Sequence, residues 1–306
     1  MPEGEGMKKK VFIIFFVLYF NFLFSAGGAG NDFLRVNPHA KSAAMANAYC
    51  AIPGDVNSIY FNPAGITFVN KTVISFTHYA SFSDTNYEYL CGVFDLNDRY
   101  DIGAALLYNS TACFKEFDEF GTYTGDVDNK DITATMSAGY KFFDWFRAGI
   151  NLKFFYSKLY VYTKYGGAVD IGMLLKIANS PDTFGALVIQ NIGKQTAYIN
   201  VEDPLPYNIK AGIGTIIKII SKTSVKFTID VNRLILKDEA PTLDAGAEFC
   251  IEKCVNLRAG IGFKHDVIKI TMGFGLDTEN INYSYAFLPY EFLGNSHVIS
   301  VDFKFF

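Results

Sequence analysis

The chain has 306 residues, a net charge of −4 and 19% charged residues, and 50% of it is hydrophobic. Both signs of charge are dispersed, so there is no basic patch for nucleic acid and no nucleic-acid partner is expected. Its 30 Phe and 19 Tyr residues recur steadily from Phe61 to Phe306. A soluble chain this aromatic would gather its rings into one core, so a soluble globular domain is not expected.

Residues 1–26 are predicted to be a signal peptide that directs export. Lys8, Lys9 and Lys10 form a basic stretch, an apolar stretch follows over 11–24, and small residues come next, as a cleavage site requires. The alternative is a transmembrane anchor, but the apolar stretch is shorter than the ~20 residues that a membrane-spanning helix needs. We therefore expect an exported protein.

Residues 27–71 do not alternate in hydropathy, and they need a place of their own. The stretch 40–51 is rich in Ala, and it leads to a motif in which Pro63 fixes the backbone φ and Gly65 permits a turn. The segment is either a plug in the lumen of a barrel or a disordered periplasmic leader. The plug is favoured because the segment is too apolar to stay disordered. The expected plug motif consists of Asp55, Asn57, Asn62, Pro63, Ala64 and Gly65. Asp55 and Asn57 are expected to anchor the turn to luminal Lys or Arg side chains.

After residue 71, apolar and polar residues alternate in segment after segment. In 131–142, for example, Ile132 and Met136 fall on one face of a strand, and Thr133 and Thr135 fall on the other. A soluble β-sandwich also alternates, but its strands are nearer five or six residues and it needs no signal peptide. The predicted fold is all-β, a transmembrane up-and-down antiparallel β-barrel of about 14 strands over 72–306, located in the bacterial outer membrane.

The lengths of the connections give an independent indication of the same fold. The longest connections, 110–130, 193–206 and 289–295, all follow odd-numbered strands. The connections that follow even-numbered strands are short, as expected when long outer loops alternate with short periplasmic turns. The predicted strands are 72–82, 86–96, 100–109, 131–143, 145–158, 166–177, 182–192, 207–219, 223–236, 241–251, 254–264, 266–277, 280–289 and 296–306.

The polar faces of these strands should line the lumen. The expected lumen-facing charged residues are Lys141, Arg147, Lys153, Asp170, Lys210, Arg258 and Lys269. Because both signs occur, pairing with the plug is favoured over selectivity for anions. Inward charges are ordinary in such barrels and by themselves indicate only a polar lumen.

No feature of the sequence marks an enzyme. The four histidines are scattered, without catalytic spacing: His39, His78, His265 and His297. No catalytic residue, cofactor or metal site is therefore expected. The five cysteines are Cys50, Cys91, Cys113, Cys250 and Cys254. Cys250 and Cys254 flank a predicted hairpin turn, and they either form a disulfide or stay free.

The end of the chain predicts a closing strand with an aromatic terminus. The expected assembly signal consists of Phe303, Phe305 and Phe306, with Phe306 one residue beyond the usual register. It implies two partners, outer-membrane lipid and the barrel-assembly machinery.

Several motifs occur in an order that spans nearly the whole mature chain. They are Asn37-Pro38, the Ala-rich stretch to Ala51, Asp55 through Asn62-Pro63-Ala64-Gly65, Ile189-Gln190-Asn191-Ile192-Gly193, Leu205-Pro206 before a Lys-x-Gly strand, Leu257-Arg258-Ala259-Gly260, and Gly294 with His297. Together they resemble the PorV/PorQ family, relatives of the long-chain fatty-acid transporter FadL. The resemblance implies a fourteen-stranded FadL-like barrel with its N-terminal segment in the lumen. It also implies that some relatives serve type IX secretion, while wider relatives move hydrophobic molecules.

Two functions are therefore weighed. The first is transport of a hydrophobic or amphipathic solute across the outer membrane. The second is a non-catalytic accessory or shuttle barrel that binds an exported cargo protein through its outer loops, for which the acidic and aromatic stretch 114–130 is the best candidate. Uptake of an apolar solute into cargo-free liposomes would separate the two.

Overall fold

The computed structural model describes residues 30–82, 85–235, 239–264, 267–290 and 294–305. The predicted signal peptide at 1–26 lies outside the described residues, as do His265 and Phe306. No helix within the described ranges has the length and hydropathy of a membrane-spanning helix.

Across these ranges fourteen strands form one closed antiparallel barrel, in which each strand pairs with its neighbours in the chain. The ring closes where β1 pairs with β14, from Thr72 opposite Phe305 to Ala80 opposite His297. The strands are β1 Thr72–Ala80, β2 Asn86–Asp95, β3 Tyr100–Phe117, β4 Tyr123–Phe143, β5 Phe146–Leu159, β6 Tyr162–Asn179, β7 Asp182–Gln195, β8 Asn208–Ile220, β9 Thr223–Leu234, β10 Thr242–Ile251, β11 Val255–Lys264, β12 Val267–Asp277, β13 Ile281–Tyr290 and β14 Gly294–Phe305. The predicted all-β, fourteen-stranded barrel is confirmed.

Short helices precede β1. They are a 3₁₀ helix Asp32–Arg35, α1 Ala40–Ala44, α2 Ser58–Phe61 and a second 3₁₀ helix Pro63–Phe68. The His39 side chain caps α1 by accepting a hydrogen bond from the Lys41 backbone N–H. Pro63 opens the second 3₁₀ helix, where its missing N–H costs nothing because the first N–H groups of a helix have no partner inside it.

The two faces of the wall meet different surroundings. On β5, Ile150, Leu152 and Phe154 point outward and are 43 to 60% exposed, while the intervening Asn151 and Lys153 point inward and are buried. Lipid accepts only apolar side chains, whereas the lumen accepts polar ones, which explains why the alternation is strict. The apolar exterior and the closed ring make this a barrel of the bacterial outer membrane.

The two ends of the barrel differ. The even-to-odd turns are short, and both the start of β1 and the end of β14 lie at their end of the ring. We call this end periplasmic and the opposite end outer, since short turns face the periplasm in such barrels. The rings of Phe143 and Trp145 stack at the periplasmic end with centroids 5.5 Å apart, as expected for an aromatic girdle at the membrane interface.

The largest departure from the predicted strands concerns 110–130, which was expected to be an outer loop. There β3 continues to Phe117 and β4 begins at Tyr123, so most of the stretch is a paired hairpin. The pairing shifts register between Thr111 and Phe114, and such a shift breaks the two-residue pattern on which the prediction depended. Cys250 and Cys254, at the turn between β10 and β11, are free thiols.

Leu152 lies midway along the lipid-facing row of β5, and it tests the orientation of the wall. Leu152→Arg is expected to lower the free energy of unfolding by about 2–4 kcal/mol, because it places a charge near the middle of the bilayer. Denaturant unfolding in lipid vesicles, followed by fluorescence of the single Trp145, measures this change. Leu152→Met is the control, and equal stability of the two variants would contradict the assigned orientation.

Candidate functional site

The N-terminal segment, residues 30–71, lies inside the barrel. At the outer end the Gly30 backbone N–H donates to the Pro204 carbonyl oxygen at 3.0 Å, and the Asn31 amide donates to Gln195 Oε1 at 2.6 Å. From there the chain descends to Thr72, which begins β1 at the periplasmic end. The segment therefore crosses the whole lumen.

A buried group of charges joins α1 to the seam where the barrel closes. Lys41 Nζ lies 2.7 Å from Asp302 Oδ2 on β14 and 2.8 Å from Asp55 Oδ2 in the segment. His39 Nε2 lies 3.2 Å from Asp302 Oδ1, and that oxygen also accepts a hydrogen bond from the Ser75 hydroxyl of β1. One carboxylate thus joins the segment to both strands of the seam. We refer to Lys41, His39, Asp55, Ser75 and Asp302 as the seam cluster.

The electrostatics of the segment side chains favour this arrangement. Burial alone would lower the pKa of Lys41, but the carboxylates of Asp302 and Asp55 outweigh it and hold that pKa well above its usual range. Burial alone would raise the pKa of Asp55, but Lys41 and His39 outweigh it and lower that pKa. Lys41 and Asp55 are therefore a charged pair in the folded protein.

The Asn-Pro-Ala-Gly motif lies against the wall near the periplasmic end. The Asn62 amide donates to the Cys50 and Met173 carbonyl oxygens, both at 3.0 Å, while Asn62 Oδ1 accepts from the Ala64 N–H at 3.1 Å. Asn62 thus links two parts of the segment to strand β6. Gly65 lies against Ser58, whose Oγ would be 2.6 Å from an added Cβ, so any larger residue there would require Ser58 to shift.

Three glycines on adjacent strands make room for this motif. Gly139, Gly149 and Gly172 lie side by side in register on β4, β5 and β6. A Cβ on Gly149 would collide with the Pro63 backbone, and one on Gly172 would collide with the Asn62 side chain. The wall is therefore shaped to receive the backbone of the segment.

Asp230 on β9 binds the middle of the segment. Its Oδ2 accepts hydrogen bonds from the Tyr49 and Cys50 backbone N–H groups, both at 2.8 Å. On the next strand Lys210 places its Nζ 4.7 Å from the centre of the Phe61 ring, a favourable distance for a cation above an aromatic face. These contacts fix the segment against β8 and β9.

A second buried ion pair lies beneath α2. Lys153 Nζ lies 2.7 Å from Asp170 Oδ2 and 2.9 Å from Asn191 Oδ1. The Asn151 amide bridges Asp170 and the Ile59 carbonyl oxygen. Asn191 has a positive φ of 62°, and the pairing of β6 with β7 shifts register beside it. The shift aims the Asn191 backbone N–H at Asp170 Oδ1, at 2.8 Å.

The remaining charged residues expected in the lumen have varied partners. Arg147 donates to the Thr67 carbonyl oxygen and covers the Phe68 ring, with Cζ 3.3 Å from its centre. Arg258 pairs with Glu248 at 2.6 Å within the wall. Lys141 pairs with Asp144 at 2.7 Å at the periplasmic rim, and Lys269 Nζ lies 5.7 Å from the centre of the Tyr290 ring.

Arg147 and Lys210 thus contact the segment, and Lys153 and Asp170 are connected to it through Asn151. Three others contact other groups: Lys141, Arg258 and Lys269. Asp55 contacts Lys41 of the segment itself instead of a luminal Lys or Arg. Asn57 donates to Ser42 Oγ, also within the segment. Phe303 and Phe305 of the expected assembly signal point outward and are exposed.

A small cavity remains between the segment and strands β2–β5. Its lining is mostly apolar and consists of Leu34, Ile59, Tyr60, Tyr89, Leu107, Thr133, Thr135 and Lys153. The ammonium group of Lys153 is already bound to Asp170 and Asn191. The Thr133 hydroxyl has no hydrogen-bond partner in the described part of the chain.

Apolar side chains connect this cavity to the outer mouth. Leu34 also belongs to a buried group with Phe33, Phe155, Ala168 and Leu205, and the rings of Phe33 and Phe155 meet edge to face at 6.2 Å. Leu205 lies in the outer connection between β7 and β8. Apolar side chains therefore run from the outer mouth to the cavity on this side of the lumen.

Comparisons with known proteins give a fold likeness only. No family model and no curated protein matches the sequence. The solved structures that share the fold include the toluene transporter TodX of Pseudomonas putida, with a TM-score of 0.61, 13% identity and coverage of 87% of this chain and 97% of that one. The monoaromatic hydrocarbon channel CymD matches with a TM-score of 0.63 and 12% identity, over 88% of this chain and 98% of that one. A FadL homologue of Pseudomonas aeruginosa matches with a TM-score of 0.55 and 10% identity, over 87% of this chain and 98% of that one.

These three structures are named as a transporter, a channel and a FadL homologue. They support the FadL-like architecture that the sequence motifs implied. The closer resemblance to PorV/PorQ proteins stays a prediction.

Lys41 is the residue on which docking of α1 is expected to depend. Lys41→Met leaves Asp302 and Asp55 buried without their cation, and breaking a buried pair in this way costs about 3–5 kcal/mol. We expect faster amide hydrogen exchange and proteolysis across the segment, with the barrel intact. The double variant Lys41→Met/Asp302→Asn leaves only Asp55 without its cation and should recover part of the loss. Unchanged exchange in Lys41→Met would contradict the role of the seam cluster.

The Lys41–Asp55 pair predicts that the stability of the docked segment is constant over a wide range of pH. The pKa of Asp55 is lowered, so its contribution is complete above the unfolded value of about 3.9 and is lost as the pH falls through the lower folded value. The pKa of Lys41 is raised, so its contribution is lost only as the pH rises beyond about 10.4. Protease sensitivity of the segment should stay flat from about pH 5 to pH 9, and a transition attributable to Asp55 or Lys41 within that range would contradict the assignment.

Proposed function

We propose that this chain is an outer-membrane channel for small hydrophobic or amphipathic molecules, in which the N-terminal segment acts as the plug of the lumen. The observation that carries the proposal is the apolar lining that runs from Leu205 through Leu34 to the cavity beside Leu107. A barrel that passes water-soluble solutes needs a polar channel. An apolar path beside a tightly held segment suits a solute that leaves water at the outer mouth.

The wall offers an exit toward the membrane. The pairing of β12 with β13 runs from Asp277 opposite Asn282 to Met272 opposite Phe287. Beyond it, in the described residues, the outer parts of the two strands, 267–271 and 288–290, are not paired with each other. Leu288 and Tyr290 lie at this break. Leu288 belongs to a buried apolar group with Tyr79, and Tyr290 and Val36 pack against that group. We propose that an apolar solute reaches the bilayer here.

The likeness to the three solved structures agrees with this proposal, since their names include a toluene transporter and a monoaromatic hydrocarbon channel. The PorV/PorQ resemblance supports the second candidate, an accessory barrel that binds exported cargo. One observation favours it: the β3–β4 hairpin carries exposed aromatic residues at its outer tip, with Phe120 85% exposed. A solvated surface hairpin explains the same observation about equally well, so transport is the preferred function.

Leu107 and Leu106 provide a matched test of the apolar path. Leu107 faces the cavity and is 6% exposed, while Leu106 faces lipid and is 46% exposed. Leu107→Trp overfills the cavity and should lower the initial uptake of a small fluorescent aromatic hydrocarbon into cargo-free liposomes, because the indole occupies the space that the solute would pass. Leu106→Trp places the same side chain in lipid and should leave uptake unchanged.

Assembly of both variants is checked by circular dichroism and by resistance of the barrel to protease. If liposomes with the wild-type protein take up no more solute than empty liposomes, transport is contradicted and the accessory role is favoured. If both Trp variants transport equally well, the solute does not pass the cavity.

A further inference from the structure

The lipid-facing rows of four strands end in a cation at the outer end of the barrel. On β5 the outward residues run from Ile150 through Phe154 to Lys158, and on β9 they run from Phe227 to Arg233. The outward rows of β4 and β7 end in the same way, at Lys130 and Lys194. We call Lys130, Lys158, Lys194 and Arg233 the outer rim cations.

Their height along the wall is nearly equal. They lie 13, 12, 12 and 10 residues from the periplasmic ends of their strands, at Phe143, Phe146, Asp182 and Thr223. With about 3.3 Å per residue and a tilt of about 40°, 12 residues rise about 30 Å. The lipid-facing apolar band of such barrels is about 25 Å tall. The outer rim cations therefore lie at the outer edge of this band or just above it, next to the lipid headgroups.

Aromatic residues mark the same boundary. Tyr156 lies directly below Lys158 in the outward row of β5 and contacts Tyr165 of β6, with ring centres 5.1 Å apart. Tyrosine side chains of this kind concentrate where hydrocarbon meets the headgroups. This observation, which is independent of residue counting, supports the level assigned to the cations.

Among the described lipid-facing residues, the rim carries cations on one side of the barrel only. From β10 through β14 to β1 and β2, the described lipid-facing residues include no Lys or Arg. On that side His78 Nδ1 of β1 lies 2.7 Å from Glu88 Oε1 of β2, and His297 Nδ1 is hydrogen-bonded to the Tyr285 hydroxyl. A general need for interfacial cations would distribute them around the ring, so the clustering on β4–β9 points to a specific anionic ligand.

We infer that the outer rim of β4–β9 binds the phosphate groups of a phosphorylated glycolipid of the outer leaflet. Lys130 and Lys158 have further contacts within the protein, so the inference depends chiefly on the exposed Lys194 and Arg233. The register of β7, β8 and β9 places Arg233 level with Ile189, five residues before Lys194, so the Cα atoms of the two cations lie about 19 Å apart. Two long side chains with a headgroup of two phosphates between them can span this distance. Guanidinium groups bind phosphate in a bidentate manner, and surface cations attract anionic headgroups.

The double variant Lys194→Gln/Arg233→Gln tests the inference. The probe is a bis-phosphorylated glucosamine-disaccharide lipid, titrated into the purified barrel in neutral detergent and counted by native mass spectrometry. Each cation near an anionic surface contributes enough for about a fivefold change in affinity, so the double variant should bind about 25-fold more weakly. The wild-type complex should also weaken as salt is raised.

The matched control is Lys218→Gln/Lys222→Gln, which removes two exposed cations at the periplasmic end of β8 and β9. It should bind the probe as the wild type does. The dephosphorylated lipid should bind all proteins weakly. If the double variant does not assemble, the two single variants are titrated separately, with about a fivefold loss expected for each.

Three results would overturn the inference. The first is equal binding of the phosphorylated and dephosphorylated lipids by the wild type, and the second is wild-type affinity in the double variant. The third is equally tight retention of phosphatidylglycerol, because the rim would then recognise acidic lipid in general and not the glycolipid.

Discussion

A chain that crosses hydrocarbon has to pair its backbone N–H and C=O groups within itself, because lipid offers no substitute for water. In this protein the requirement is met when β14 returns to β1 over nine residue pairs, from Thr72 with Phe305 to Ala80 with His297. Closure fixes which face of every strand meets lipid. It also encloses a space that side chains of the wall alone do not fill, and the N-terminal segment occupies that space.

The segment is held by groups that would be costly to bury alone. Asp302, Asp230 and Asp170 are each almost fully buried in the wall, and each has partners: a lysine for Asp302 and Asp170, and two backbone N–H groups of the segment for Asp230. Burying a charge is tolerable when it is paired and hydrogen-bonded. Between these polar contacts an apolar strip runs from the outer mouth to the cavity beside β2–β5, which makes a route for hydrophobic solutes physically reasonable.

The sequence predicted the wall better than the interior. Strands such as β5 were readable because a residue facing lipid has to be apolar, and the rule acts at every second position. The rule does not apply above the membrane, where the stretch from Thr111 to Tyr123 forms part of a hairpin without a strict alternation, and the prediction was wrong there. Lys41 was missed because a single lysine in an alanine-rich stretch gives no indication of Asp302, 261 residues later. Only the register brings Gly139, Gly149 and Gly172 into one row.

The path of the segment constrains the order in which the molecule is built. Gly30 lies at the outer mouth, while β1 starts at the opposite end, so the first residues described traverse a tube whose wall is completed by the last strand. Threading a folded segment into a sealed cylinder is sterically unfavourable, and the simpler route has the segment in place when the two end strands meet. Asp302, on the strand made last, then holds Lys41, on a helix made first. Pairing of β14 with β1 and docking of the N-terminal segment thus occur in the same step.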